Sequence, residues 1–251
     1  MAASADGLTG SYLHWRSSRL GLITDGLEQA LLLGLLGPVA DQMLLDIGCG
    51  DGALSAVLAR RGARVIGLDA DAAMVAAARR RAEREAIPLM LLKGKGETLP
   101  FRRDAFDVVL AVASLCFIQD AAQAIAEMAR VLKPGGRLVI GDLGRCSLWA
   151  MQRRIRGRLG NPVWRAATFR TAAELRSSIE AAGLEVTAVR GAAYYPPSAL
   201  AARMLAPADG WLGRATTFGA AFIAVASAIF NKNSVVISGM TVPSNSAIPS
   251  D

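Results

Sequence analysis

Histidine and cysteine are scarce in this chain, and their scarcity excludes several kinds of site. His14 is the single histidine among 251 residues, so a zinc site built from cysteine and histidine is not expected and we predict no metal site. Cys49, Cys116 and Cys146 are odd in number, far apart and contain no CxxC pair. This spacing argues against a disulfide framework and favours a reducing, cytoplasmic setting.

Long apolar runs are also missing. No stretch approaches the roughly 18 to 20 apolar residues that a membrane-spanning helix requires. The longest candidate, residues 218–230, has about two thirds of that length and is interpreted as a buried strand. Residues 1–10 contain neither a basic start nor an apolar segment, so a secretory signal is not expected.

Residues 143–173 contain no acidic residue, and the positive charge excess of the chain, which has a net charge of +7, is concentrated there. The segment carries seven arginines, at 145, 153, 154, 156, 158, 165 and 170. They could bind an anionic small substrate. They could also follow RNA phosphates, with Trp149 and Trp164 as stacking platforms. The remaining interpretation is the solvated face of an amphipathic helix.

Short apolar runs alternate with helical stretches from residue 43 onward, which is typical of βαβ units. Strands are predicted at 43–48, 63–70, 88–94, 105–114, 136–143, 184–195 and 220–230, and helices at 25–37, 53–62, 71–86, 120–132 and 171–183. The pattern predicts an α/β fold, a doubly wound, Rossmann-like, mostly parallel sheet with helices on both faces. A proline-containing connection joins the last two strands.

Three regions are predicted along the chain. Residues 1–40 are interpreted as an N-terminal helical lid, and residues 41–230 as the main domain with a basic insertion at 145–170. Residues 231–251 are polar and nearly uncharged, which is typical of a mobile C-terminal tail.

A glycine-rich turn, "LLDIGCGDGAL" (44–54), follows the first predicted strand. Gly48, Gly50 and Ala53 match the G-x-G-x-x-G/A spacing, and Asp69 stands about twenty residues further on. Taken alone, this pattern indicates dinucleotide binding, with Asp69 accepting hydrogen bonds from ribose hydroxyls.

Two carboxylates in the turn favour a different ligand. Asp46 and Asp51 would repel a pyrophosphate at the helix N-terminus, where backbone N–H groups should attract it. A sulfonium or ammonium cation would instead be attracted, by about 1 to 4 kcal/mol at surface-like dielectric. The acidic turn therefore predicts S-adenosylmethionine as the cofactor.

Four segments in sequence order resemble one family. "LLDIGCGDG" resembles motif I of the class I S-adenosylmethionine-dependent methyltransferases, of the ubiquinone/menaquinone-biosynthesis-like branch. The segments 65–79, 96–115 (with "LPF" and "FD") and 130–143 (with "KPGG") resemble its later motifs. The resemblance covers about residues 40–190. It implies a seven-stranded sheet whose last strand, here 220–230, is antiparallel.

The resemblance also implies the cofactor contacts. Asp69 would hold the ribose, Ala70 and Met74 would line the adenine, and backbone of Gly96 and Glu97 would meet the adenine edge. The full predicted set is Asp46, Gly48, Cys49, Gly50, Gly52, Asp69, Ala70, Met74, Gly96, Glu97, Ala111 and Leu115. Lys95 departs from the family, which usually has an acid there to accept from the adenine amino group.

Methyl transfer from a sulfonium is an in-line displacement, so catalysis depends mainly on positioning and desolvation. His14 is the only histidine available as a general base. Tyr12 and Trp15 are candidates to close over the methyl donor, where aromatic faces attract a cation. Tyr194 and Tyr195, before Pro196 and Pro197, are candidate walls of the substrate pocket. The alternative for each aromatic residue is core packing.

These features predict a methyltransferase acting on a small-molecule acceptor. Two alternatives stay open: an RNA or protein methyltransferase that uses the arginine-rich insertion, and a non-catalytic cofactor-binding module. The segment "AVASL" (111–115) stands where many nucleic-acid methyltransferases have an Asn/Asp-Pro-Pro-Tyr signature, which argues against the first alternative.

Overall fold

The computed structural model describes residues 15–229 and the backbone of two further strands at 234–237 and 240–243. Its main sheet has the strands β1 (Met43–Ile47), β2 (Arg64–Asp69), β3 (Met90–Lys93), β4 (Phe106–Val112), β5 (Leu132–Leu143), β6 (Glu185–Ala192) and β7 (Phe222–Ala228). Their order across the sheet is β3-β2-β1-β4-β5-β7-β6. The first five strands pair in parallel, and β7 runs antiparallel to both β5 and β6. The predicted seven-stranded, mostly parallel sheet with an antiparallel last strand is confirmed.

Helices cover both faces of this sheet. They are α1 (Arg19–Leu36), α2 (Ala53–Arg60), α3 (Ala72–Arg84), α4 (Ala121–Val131), α5 (Leu148–Arg158), α6 (Pro162–Ala166), α7 (Ala172–Ala181) and α8 (Ala199–Ala215). Alternate residues of each central strand point to opposite faces. Leu44 and Leu110 pack with Leu32 of α1, whereas Leu45 packs with Ile125 of α4 on the other face.

Helix α1 brings the N-terminal segment to the carboxyl edge of the sheet. At its C-terminal end, Arg137 of β5 donates from Nε to the Leu36 carbonyl over 2.7 Å. Near its N-terminal end, Thr24 shares a hydrogen bond of 3.0 Å with Tyr195, which follows β6. The helix therefore runs antiparallel to β5, and its first two turns lie where the parallel strands end.

Several elements differ from the prediction. Helix α1 begins at Arg19 rather than 25, because Ser18 caps it by accepting from the Gly21 N–H. The proline-containing connection contains α8, with Pro207 inside it. The insertion folds as α5 and α6. Within 231–251, backbone at Ser234–Ile237 and Met240–Pro243 forms an antiparallel pair, and the mobility predicted for the tail stays a prediction.

None of the helices in the described part of the chain is both long and apolar enough to cross a membrane.

Candidate active site

The glycine turn lies at the point where the strand order reverses, between β1 and β4. Ligands of doubly wound sheets bind in the crevice beyond the carboxyl ends of such strands. Gly48 and Gly50 have φ of 71° and 56°, a region that favours glycine. A Cβ on Gly48 would lie 2.3 Å from Cβ of Ser114, whereas one on Gly50 would meet nothing within 4 Å. The turn is therefore packed against Ser114 at Gly48 and open at Gly50.

The segment after β4 forms the other wall of this crevice. Ala113 has a φ of 48°, which is uncommon for a residue with a side chain. Its N–H donates to the Gly141 carbonyl of β5 over 2.7 Å. Ser114 then donates from Oγ to the Ile47 carbonyl over 2.9 Å and fits beneath Gly48. Backbone strain of this kind concentrates at functional sites.

Asp69 at the end of β2 supports the turn and faces the crevice. Its Oδ2 accepts from the Gly50 N–H and its Oδ1 from the Asp71 N–H, each over 2.9 Å. Burial raises the pKa of Asp69, and the backbone donors act against this shift. The side chain is half-buried, and each oxygen keeps a lone pair with which a ribose hydroxyl can bond.

Asp46 is the more deeply buried carboxylate of the turn region, at 2% exposure. Ser55 of α2 donates to its Oδ2 over 2.5 Å. Burial raises the pKa of Asp46 from 3.8 to about 6, and the nearby charge of Asp69 adds to the increase. A neutral hydroxyl does not compensate this charge, so a cation near the turn would stabilise the ionised form.

Asp51 does not act as the sequence argument assumed, because it is already neutralised. Its Oδ2 accepts from Arg81 Nη2 over 2.5 Å and its Oδ1 from Arg16 Nη1 over 3.3 Å. Arg16 also binds both oxygens of Asp25 on α1 over 2.8 Å. Attraction of a cationic ligand by the turn is therefore assigned to Asp46 alone, and Asp51 instead fastens the N-terminal segment to the turn.

The remaining predicted cofactor residues differ in how much of their surface is exposed to solvent. Ala70 is exposed, Met74 and Glu97 are half-buried, and Cys49, Gly52 and Gly96 are buried. Burial raises the pKa of the Cys49 thiol, so it is not a nucleophile at neutral pH. Ala111 and Leu115 are fully enclosed in the apolar core, so any contact there would be made by backbone atoms. Lys95 is exposed.

An aromatic cluster lies beside this crevice. Trp149 of α5 packs edge-on against Trp15, with 6.3 Å between ring centroids, and against Tyr195 at 6.4 Å. Its Nε1 donates to the Tyr195 carbonyl over 2.8 Å. Trp15 therefore joins the cluster, and its predicted closure over the methyl donor stays a prediction. Tyr194 packs elsewhere, and its hydroxyl donates to the Thr216 carbonyl. Of the two tyrosines, Tyr195 is the one that contacts the cluster.

Glu28 is a titratable group that the sequence argument missed. It stands one turn after Thr24 and one turn before Leu32, both buried, so it lies on the face of α1 that packs on the sheet. Burial raises the pKa of its carboxyl from 4.5 to about 7. Arg153 and Arg16 act to lower this value, and Asp25 and Asp209 act to raise it. Among the described residues its carboxylate makes no hydrogen bond or ion pair.

Arg153 stands on the inner side of α5, near enough to Glu28 to influence its pKa. Its guanidinium carbon lies 5.2 Å from the ring centroid of Trp149 and 5.0 Å from that of Trp164, which is cation–π distance. It lies close enough to Glu28 for their charges to interact, and it also lies near the neutral thiol of Cys116, just after β4. Arg153 therefore bridges the space between α1 and the end of β4.

Two other arginines of the basic segment serve the fold. Arg170 binds Oδ2 of the buried Asp142 at the end of β5 over 3.2 Å. Arg145 pairs with Glu174 of α7 over 2.8 Å and donates to the Phe169 carbonyl. These contacts fix the ends of the segment against the sheet. The candidates His14 and Tyr12 lie outside the described residues.

The reversed sheet order, the glycine turn and the acid on β2 define a nucleoside-cofactor-binding α/β domain. Residues 45–140 match a family model described as a methyltransferase domain. An uncharacterised protein of Mycobacterium tuberculosis is 34% identical over 227 residues, which are 90% of this chain and 74% of that protein. A ubiquinone biosynthesis O-methyltransferase of Methylobacterium is 31% identical over 64% of this chain and 67% of its own. The solved structure of a possible histamine N-methyltransferase from Thermotoga maritima superposes with a TM-score of 0.66 at 23% identity, covering 87% of this chain and 95% of that chain.

The chain belongs to the class I S-adenosylmethionine-dependent methyltransferases, and it is an enzyme that uses S-adenosylmethionine. The structure fits this cofactor. The open side of the turn at Gly50, the free lone pairs of Asp69 and the uncompensated Asp46 suit a phosphate-free nucleoside that carries a cationic tail.

Replacing Asp46 by asparagine should raise stability while it weakens cofactor binding. The folded-state pKa of Asp46 is about 6 and its ordinary value is 3.8, so the wild type loses stability as the pH rises from about 4 to about 6, and the loss is complete above that range. We expect Asp46→Asn to increase the free energy of unfolding by about 3 kcal/mol at pH 8 and to leave it unchanged below about pH 4. Chemical denaturation at both pH values measures this.

Asp51→Asn is the matched comparison and should have the opposite sign, because it leaves Arg81 and Arg16 without their shared partner. Equal effects of the two variants at pH 8 would contradict the assignment of the uncompensated charge to Asp46.

Proposed function

We propose that this enzyme transfers the methyl group of S-adenosylmethionine to a small-molecule acceptor that binds among Glu28, Arg153 and the aromatic cluster. One observation carries the proposal: a buried carboxyl group and a guanidinium lie close enough for their charges to interact without forming an ion pair, and indole rings flank the guanidinium. An acceptor with an acidic hydroxyl and a planar or anionic body would satisfy both groups.

The proposed chemistry assigns one task to each side chain. The cofactor supplies an activated methyl group bound to a sulfonium. The acceptor oxygen gives its proton to the carboxylate of Glu28 and forms a bond to the methyl carbon as the carbon–sulfur bond breaks. Arg153 binds negative charge on the acceptor. Trp15 and Trp149 restrict water, which strengthens both electrostatic interactions.

The relatives support a small acceptor. The Methylobacterium protein is named for O-methyl transfer in ubiquinone biosynthesis, and the Thermotoga structure is described as a possible histamine N-methyltransferase. Both names refer to small molecules.

RNA is the second candidate acceptor, and one observation favours it. A groove of about 490 Å³ on the insertion is lined by Arg145, Arg154, Arg158, Arg165, Trp164 and Phe169. However, Trp149 is buried, and the Trp164 ring already contacts Arg153 and Phe117. Trp149 therefore offers no open face for base stacking, and the Trp164 ring is already engaged by Arg153, so we favour the small molecule.

Release of S-adenosylhomocysteine tests the proposal. The purified enzyme should show it with members of a panel of phenolic and carboxylate-bearing aromatic acceptors, and not with bulk tRNA or rRNA. Turnover with RNA alone would replace the proposal by the second candidate.

Arg153→Gln should raise the KM for an anionic acceptor about 10- to 100-fold, because a charge-assisted hydrogen bond contributes roughly 1.5–3 kcal/mol. The affinity for S-adenosylmethionine should not change. Arg176→Gln is the control, since Arg176 is an exposed arginine that pairs with Glu180 on α7. A KM that is unaffected by the Arg153 change would remove this residue from the acceptor site.

A further inference from the structure

Helix α5 turns an apolar stripe toward solvent. Leu148, Met151, Ile155 and Leu159 are between 48% and 81% exposed. Their spacing of three or four residues places them on one face of the helix. The opposite face buries Trp149, Ala150 and Gly157, so the exposed stripe is additional to the face that packs on the domain.

Helix α8 repeats this arrangement. Leu200, Met204 and Trp211 are each at least 70% exposed, and their spacing of four and seven residues places them on one face. Ala202 and Gly213 lie on the buried face. An ordinary surface helix presents its polar face to water, so both helices show the reverse of the usual pattern.

Arginines flank both stripes. On α5, Arg154 and Arg158 lie on one side of the stripe and Arg156 on the other, and all three are exposed. On α8, Arg203 and Arg214 lie beside the stripe and are exposed. Neither helix exposes an acidic side chain. Asp209, the single acid within them, is buried and accepts from the Ala193 and Tyr194 N–H groups over 3.0 and 2.9 Å.

We propose that α5 and α8 dock the enzyme on the surface of an anionic lipid bilayer. Apolar side chains can enter the acyl boundary, while arginines reach the headgroups by extending their long side chains. Tryptophan favours this interfacial depth. A basic residue near an anionic surface contributes about 1 kcal/mol, so the five flanking arginines explain the preference for acidic lipid.

The charge pattern separates this partner from the alternatives. A symmetric contact between two copies would bring arginines of the same stripes together, which is unfavourable. An RNA ligand would use the arginines but leave the apolar stripes in water. A bilayer with anionic headgroups is the occupant that uses both features.

The docking surface and the proposed acceptor site share one helix. Trp149 and Arg153 lie on the inner side of α5, and Ala202 of α8 packs in the same cluster as Trp149. An acceptor dissolved in the bilayer would therefore arrive beside Glu28. This consequence depends on the proposed function, whereas docking itself does not.

Vesicle flotation of the full chain tests the proposal without any acceptor or turnover. The probes are vesicles of phosphatidylcholine alone and of phosphatidylcholine mixed equally with phosphatidylglycerol. The wild type should float with the anionic vesicles and not with the neutral ones, and high salt should weaken binding because it screens charge. We expect Met151→Glu/Ile155→Glu and Trp211→Glu each to lower the partition coefficient about tenfold or more.

Met90→Glu is the matched control, because Met90 is an exposed apolar residue of the same kind at the far edge of the sheet, on β3. It should bind vesicles like the wild type. Unfolding midpoints identify any variant that fails to fold. In that case Arg154→Gln/Arg158→Gln is the second test, and this double variant should also lose binding to the anionic vesicles. Binding that survives the apolar and arginine changes, equal binding to neutral vesicles, or self-association abolished by the stripe changes would each overturn the proposal.

Discussion

Replacing Asp69 by alanine should lower the affinity for S-adenosylmethionine about a hundredfold. Its two oxygens hold the Gly50 and Asp71 N–H groups and keep lone pairs for the ribose hydroxyls. Two hydrogen bonds to a charged acceptor, each about 1.5 kcal/mol or more, account for a loss of this size. Titration calorimetry of both proteins measures it.

The neighbouring carboxylate offers a close control. Asp71→Asn removes a charge two residues away but keeps a good helix cap, since Asp71 caps α3 by accepting from the Ala73 N–H. Its affinity should stay within about threefold of the wild type. NAD should not bind the wild type, because its pyrophosphate would meet Asp46 at the turn. A similar loss in both variants would indicate general damage to the turn rather than a lost ribose contact.

The sheet could be predicted because buried parallel strands read as short apolar runs separated by helices of regular length. The orientation of β7 came from the family resemblance, since apolar content does not encode strand direction. Helix α8 was missed because Pro207 removes an N–H and glycines interrupt its pattern. Tertiary contacts stabilise it instead: Asp209 binds two N–H groups of the β6 end, and Gly213 packs closely on Gly191.

The candidate cofactor residues could be predicted from the sequence, whereas the residues of the proposed acceptor site could not. Asp69 and the glycines occupy one local segment whose spacing carries the chemistry. Glu28 and Arg153 come from helices far apart in sequence, and only the folded chain brings them together. The available signal was a glutamate in register with Thr24, Leu32 and Leu36 on the apolar face of α1. The sequence identified Asp51 as a charged residue of the turn but not its neutralisation, because its partners, Arg16 and Arg81, come from distant segments.

Glu28→Gln should reduce kcat about a hundredfold at pH 8, since general base catalysis contributes about 10²–10⁴-fold. The pKa of Glu28 is about 7. Because the ionised form accepts the proton, wild-type kcat/KM should rise with pH up to about 7 and then level off. In the glutamine variant this inflection should disappear. A stopped assay of methylated product across pH 5.5 to 9 measures both quantities.

Substitutions of neighbouring charged residues should shift the pH of this inflection in opposite directions. A purely structural role for Glu28 would not produce such shifts. Asp25 raises the pKa of Glu28, so Asp25→Asn should move the inflection to lower pH. Arg153 lowers it, so Arg153→Gln should move the inflection to higher pH. An inflection that persists unchanged in Glu28→Gln would assign the proton transfer to another group. His14 would then be the next residue to replace, because it is the only histidine in the chain.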